Sequence, residues 1–194
     1  MSSVVLNRTV APVAEPITLN EAKDHLRVTH ALEDTLVTSL IMAAREQIED
    51  TYLKRSLLLQ TWEYCLDAWP AQGFIRLPRP PLQALTSVNY LDQQGVSSPL
   101  DPTSFVTDTR SEPGRVVLLP NCSWPTVSLY SVNPIRILYV AGYTQAALVP
   151  EVAKQAIKLL LSNLYIHRDD EDAPGRLDAV SRLLSSWEVR SEHP

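Results

Sequence analysis

No helix can cross the middle of this chain. Ten of its fifteen prolines fall between Pro70 and Pro134, and each proline removes a backbone donor and fixes φ near −65°. The densest point is "FIRLPRPPLQALTSVNYLD", residues 74–92, where Pro78, Pro80 and Pro81 precede Leu82, Leu85, Val88, Tyr90 and Leu91. Those apolar residues demand a core, so the proline step leads into a strand. Proline there stiffens an edge strand or a crossing between sheet layers, because it forbids extra ladder pairing.

From about Leu57 the apolar period is two. "SLLLQTWEYCLDAW" alternates Thr61 and Glu63 with Trp62 and Tyr64. "GFIRLP", "LTSVNYLD", "SFVTDTR", "GRVVLLP" and "PIRILYVAGY" continue the series, with turn signals "DQQG", "LDPTS", "SEPG" and "SVNP" in the gaps. Short strands at such spacing read as an antiparallel β block.

On either side the period returns to that of a helix. "ITLNEAKDHLRV" carries a capping box, with Thr18 as N-cap and Glu21 three residues on, after an extended tail that ends at Pro16. A longer helix begins near Leu32 or Glu33, with Leu36, Leu40, Ala44 and Ile48 on its stripe. The two make a helical hairpin. Beyond the β block, Pro150 and Glu151 start "PEVAKQAIKLLLSNLYIHR", apolar on most faces. Such a helix is either the centre of the helical layer or meets another subunit on one side. After the charged "DDEDAPG", a last short helix sets Leu177, Val180, Leu183, Leu184 and Trp187 on one stripe.

The fold class is therefore α+β: a helical body, made of the hairpin and the C-terminal helices, with an inserted antiparallel β block. The divisions are residues 1–56, an N-terminal tail and helical hairpin; 57–146, the β block; and 147–194, helices completing the body with a partner-binding tail. There is no internal repeat.

Chemistry is hard to find. No Gly-x-Ser-x-Gly elbow is present, and His25, His30, His167 and His193 stand without Cys or His partners at ligand spacing. Asp169 to Asp172 read as a solvated linker, and the five glycines do not cluster into a phosphate cradle. The expectation is no catalytic, cofactor or metal site. Cys65 and Cys122 cannot make a disulfide framework and read as buried free thiols, which fits a reducing cytoplasm. The N-terminus shows no cleavage pattern, and no stretch reads as a membrane span. A formal net charge of −5 argues against gripping nucleic acid by its phosphates. From residues alone, the chain reads as an assembly or scaffold protein.

The ordered run "ITLNEAKDHLRV…EDTLVTSLIMAARE", "QTWEYCLDAWP…IRLPRPPLQALTSVNYLD", "FVTDTRSEPGRVVL", "SWP", "IRILYVAGYT" and "VPEVAKQAIKLLLSNLY" resembles the head–tail connector (adaptor) proteins of tailed bacteriophages and gene transfer agents. "IRLPRPPLQ" and "DTRSEPGRV" carry most of the likeness. The resemblance implies a structural virion protein, not an enzyme. It implies a ring, typically of twelve copies, beneath the portal protein, extending the DNA channel and giving the tail or a stopper protein its docking surface. Its partners would be the portal, neighbouring copies and the tail, with DNA passing through without specific binding and no membrane. It would be assembled in the bacterial host cytoplasm and end at the head–tail interface of the virion. In relatives the C-terminal segment reaches towards the portal, which here puts Leu183, Leu184, Trp187 and Arg190 forward. Ile157, Leu161, Leu164 and Tyr165 are the candidates for contact between subunits. Arg79, Pro80 and Pro81 are candidates for a rim on which the tail docks.

Two other readings stay open at this point. One is a different tail-completion or stopper-type virion protein with a similar plan. The other is an enzyme whose site is assembled from scattered residues such as Asp67, Arg110 and Tyr143.

Overall fold

The computed structural model describes residues 4–167, 177–185 and 187. It divides into two compact units: residues 1–12 with 59–142, and residues 13–58 with 143–194. Helices and two antiparallel sheets give an α+β fold.

The first unit is all β. Its larger sheet has five strands, β1 (Val4–Val10), β2 (Gln60–Leu66), β8 (Ile135–Ala141), β4 (Leu82–Leu91) and β5 (Ser97–Pro99), in that order across the sheet. The smaller has β3 (Phe74–Arg76), β7 (Arg115–Leu118) and β6 (Phe105–Asp108). Central β8 sets the register: Trp62 faces Tyr139 on one side and Leu85 faces it on the other. Ile135, Ile137, Tyr139 and Ala141 alternate inward, as a period of two requires. They meet Trp62, Leu82 and Val88 of the same sheet and Ile75 and Val116 of the other, so the two sheets close over one core. Two bulges in β4, after Leu82 and after Leu85, interrupt its ladder with β8.

The first ten residues were expected to be a tail. Val4–Val10 is instead an edge strand, paired antiparallel with β2 from Val4 opposite Leu66 to Arg8 opposite Trp62. Its partner lies more than fifty residues away, so no local turn signal announces it.

The second unit is helical. α1 (Leu19–Leu26) starts with the expected capping box: the Glu21 amide donates to Thr18 Oγ1 (3.2 Å) and the Thr18 amide donates to the Glu21 carboxylate (2.7 Å). Bonds from the Thr18 amide and hydroxyl hold the Glu21 carboxyl below its ordinary pKa. α2 (Asp34–Gln47) runs into a wider, π-type turn over Ile48–Leu53. α3 (Glu151–Ile166) packs against α1, α2 and α4 (Leu177–Leu184). Ile41, Ala44, Ile48, Ala156, Ile157, Leu160, Leu161, Val180 and Leu184 form the centre of this core.

A buried ion pair lies inside the same unit. Arg45, 2% exposed, donates from Nη1 to Glu49 and from Nε to Glu15, both at 2.8 Å. Burial pulls the guanidinium's pKa down, but Glu49 and Glu15 outweigh this and leave it raised. Glu49 also accepts the Leu57 amide at 2.6 Å. Glu49→Ala leaves a buried guanidinium short of a partner and a buried amide unpaired. It is expected to destabilise the helical unit by about 3 kcal/mol, read from urea unfolding of the helical circular-dichroism signal. The double replacement Arg45→Met with Glu49→Leu should cost much less.

Candidate functional site

Among the described residues, no group of three His, Cys, Asp or Glu is placed to hold a metal ion. No helix among the described residues is long and apolar enough to cross a membrane. The candidate residues of the sequence fall into three places.

The proline step joins β3 of one sheet to β4 of the other, and the β unit pins it at several points. Tyr139, fully buried, donates its hydroxyl to the Pro78 carbonyl at 2.8 Å, and burial pushes its phenol well above the ordinary value. The Pro81 carbonyl accepts the Gly142 amide at 2.8 Å. Arg79 takes a left-handed φ of 62° and lays its guanidinium 5.1 Å from the centre of the Trp62 ring. Of the three rim candidates, Pro80 is buried, while Arg79 and Pro81 are half-buried. A partner can reach Arg79 and part of Pro81, but Pro80 belongs to the interior.

"DTRSEPGRV" is the turn between β6 and β7, and it packs directly on the proline step. The Leu77 amide donates to the Gly114 carbonyl at 2.7 Å. A Cβ at Gly114 would sit 2.5 Å from Leu82 Cβ, so only glycine allows that approach. Asp108 ties the turn: it accepts from the amides of Arg110 (3.0 Å) and Ser111 (3.1 Å), from Ser111 Oγ (2.6 Å) and from Arg115 Nη2 (2.9 Å). The Ser111 hydroxyl, then Arg115 and the two amides, hold its carboxyl far below the usual range. The two stretches that carry the family resemblance thus pack on one another, and Asp108 and Arg115 serve the turn.

The candidates for subunit contact lie on α3. Ile157 and Leu161 are completely enclosed by the chain's own helices and offer no surface to a neighbour. Leu164 and Tyr165 are half-buried, and the Tyr165 hydroxyl donates to Glu33. The exposed apolar positions of α3 are Val152 and Ile166, at its two ends. Of the two sequence readings of this helix, its place at the centre of the helical layer accounts for most of its apolar faces.

The C-terminal candidates divide in the same way. Leu184 is 1% exposed and belongs to the core with Val180. Leu183 and Trp187 are partly buried against it. The Arg55 guanidinium lies 5.0 Å from the Trp187 ring centre, and its Nε donates to the Trp187 carbonyl at 3.3 Å. Arg190 lies outside the described residues.

Two features escaped the sequence. Cys65 is buried, with its thiol pKa raised by burial, but Cys122 is exposed. Its aromatic neighbourhood suggested otherwise; it follows a turn in which Asn121 has φ 66°. Trp69 stacks on Trp124 (ring centres 4.9 Å apart) and meets Tyr90 edge-on. Tyr90 and Trp124 also line an open pocket of about 410 Å³ with Pro99, Leu100, Asp101 and Pro125. These aromatics stand more than twenty residues apart in sequence, so no motif could reveal the pairing.

Residues 16–91 match the family described as Phage gp6-like head-tail connector protein. The fold is shared over essentially the whole chain with three solved structures. The neck of an empty gene transfer agent (GTA) particle computed with C6 symmetry matches at 24% identity and TM-score 0.80, covering 98% of this chain and 100% of that one. The virion of a native gene transfer agent particle matches at 23% and 0.78, covering 97% and 98%. The neck of a native GTA particle computed with C12 symmetry matches at 23% and 0.77, covering 98% and 100%. No curated protein sequence matches.

Gly114→Ala should cost about 1–3 kcal/mol through overpacking against Leu82, read as a lowered urea midpoint of tryptophan fluorescence. Acid should leave the β6–β7 turn intact for longer than an ordinary carboxylate would. A depressed pKa gives stability that is present above the unfolded-state value and is lost only as pH falls through the folded-state value. Hydrogen exchange at the Ser111 amide is expected to stay slow through pH 4 and to quicken only in stronger acid. In Asp108→Asn it should already be fast at neutral pH.

Proposed function

We propose that this chain is a head–tail connector, a structural subunit that assembles with its own copies into a ring in the neck of a phage-like particle. The observation that carries this is the full-length agreement of its fold with chains in C6- and C12-symmetric particle necks. The connector-family match over residues 16–91 agrees with it, since that segment runs from the start of the helical hairpin through β4. The role is structural rather than catalytic. The ring seats on the portal, continues its channel and offers its other side to the tail or a stopper protein. A net charge of −5 suits a lumen through which DNA slides without being held by its phosphates. Assembly takes place in the host cytoplasm, and the finished protein sits at the head–tail interface.

Accessibility narrows the residues involved. Portal contact falls to Leu183 and Trp187, which keep part of their surface free, rather than to Leu184. Contact between copies draws on Leu164, Tyr165 and the exposed Val152 and Ile166, rather than on Ile157 or Leu161. On the tail side, Arg79 offers a cation already oriented by Trp62, and docking there loses little side-chain freedom.

Electron microscopy of the purified protein mixed with portal rings of the same particle tests the proposal, with a ring seated on the portal as the expected outcome. Trp187→Ala should weaken that seating about tenfold or more while the melting temperature stays within a few degrees. Binding to tail tubes but never to portals would overturn the reading.

A further inference from the structure

The N-terminal strand joins its sheet at an edge and has no local hairpin to tie it to its partner. β1 lies at the sheet edge, and none of its seven residues is buried. Val4 and Val10 are more than half exposed, and only Leu6 reaches the margin of the core. Its attachment is the backbone ladder to β2, helped by Thr9 Oγ1 donating to the Thr61 carbonyl at 3.2 Å and Arg8 donating to Gln60 at 3.5 Å.

The strand is also a separate piece of chain. Residues 1–12 belong to the β unit, but the chain then enters the helical unit and returns only at Leu59. Between them, Ala11 to Ala14 have no regular structure, and Val13 is fully exposed. Pro12 fixes one φ of that link, which bends at Val13 and Ala14 and can reach at most ~14 Å over four residues. Its far end is fixed, because Glu15 accepts from Arg45.

We propose that β1 is an exchangeable strand, donated in the assembled ring to the β2 edge of the neighbouring copy. The occupant of that edge is dictated by the structure itself: the seat fits residues 4–10 of this sequence, and a second copy supplies the same ladder. Exchange therefore costs no contact and leaves only the link to rearrange. Passed head to tail around a closed ring, each copy gives one strand and receives one, so no β2 edge is left open to unwanted pairing. This rests on the ring assembly proposed above and identifies one of its contacts. The few apolar anchors of β1 follow, since a strand that must leave its seat cannot be locked into the core.

Val5 stands opposite Cys65 across the β1–β2 pair, which gives a direct test. One variant carries Val5→Cys with Cys65→Ser and Cys122→Ser; the other carries Cys122→Ser alone and keeps Cys65. Both are first shown to melt as the unaltered chain does, and Asn7→Cys with Glu63→Cys, also opposite, is the substitute pair. The two variants are mixed, assembled on portal rings or concentrated without them, and oxidised. Exchange gives a covalent heterodimer, a band at twice the chain's mass on a non-reducing gel. Rings that form yet give only single chains would overturn strand exchange and leave the connector reading standing. Failure to form rings would count against the connector reading. In that case, a concentrated mixture without heterodimer overturns exchange as well.

Discussion

The fold hangs on a single buried charge. Arg45 would be costly inside the helical unit if it stood alone, and its two close carboxylates come from different stretches of chain. Glu15 follows the point where the chain enters this unit from β1, and Leu57, whose amide Glu49 accepts, precedes the point where it leaves for β2. Arg45 and Glu49 thus hold, within the helical unit, a residue near the start of its first stretch and one near the end of that stretch. A hydrophobic contact would bury as much area but would not set direction. The carboxylate of Glu49, in the wider turn after Gln47, sets it by taking a guanidinium and an amide at once.

The β unit answers the same need by different means. Its two sheets must be joined by a chain that leaves one layer and enters the other without offering a free edge. The proline step does so with few amide donors, and its carbonyls are met by Tyr139 and Gly142. The turn closed by Asp108 and Gly114 seals it from the other side. The two stretches are joined by the Leu77–Gly114 hydrogen bond and by the close approach of Gly114 to Leu82. This join also separates fold from docking, for Pro80, Gly114 and Asp108 serve the structure, while Arg79 and Pro81 keep part of their surface within a partner's reach.

What could be read from the sequence was local. The Thr18–Glu21 capping box lies within four residues, and the alternation of Trp62 and Tyr64 with Glu63 needs only its own strand. Both are present in the structure. Enclosure is not local. An apolar position on α3 reads the same whether a helix of the same chain or a second copy covers it, and Ile157 and Leu161 prove to be covered by their own chain. Cys122 shows the reverse case, where apolar neighbours in sequence do not become neighbours in space.

β1 brings both limits together. "VVLNRTV" has the β-branched content of a strand, but nothing nearby in sequence names its partner, and its weak burial gives no clear alternation. Such a strand is defined by the edge it joins more than by its own residues. The edge, Gln60–Leu66, carries the core residues Trp62 and Leu66 and would stay a template for pairing if left bare. Natural sheets usually protect such an edge with charge, proline or a bulge. Here the protection is a strand of the same sequence on a short irregular link. In a ring of identical subunits the supply of strands always equals the number of edges, so the pairing can pass between copies without leaving either unsatisfied.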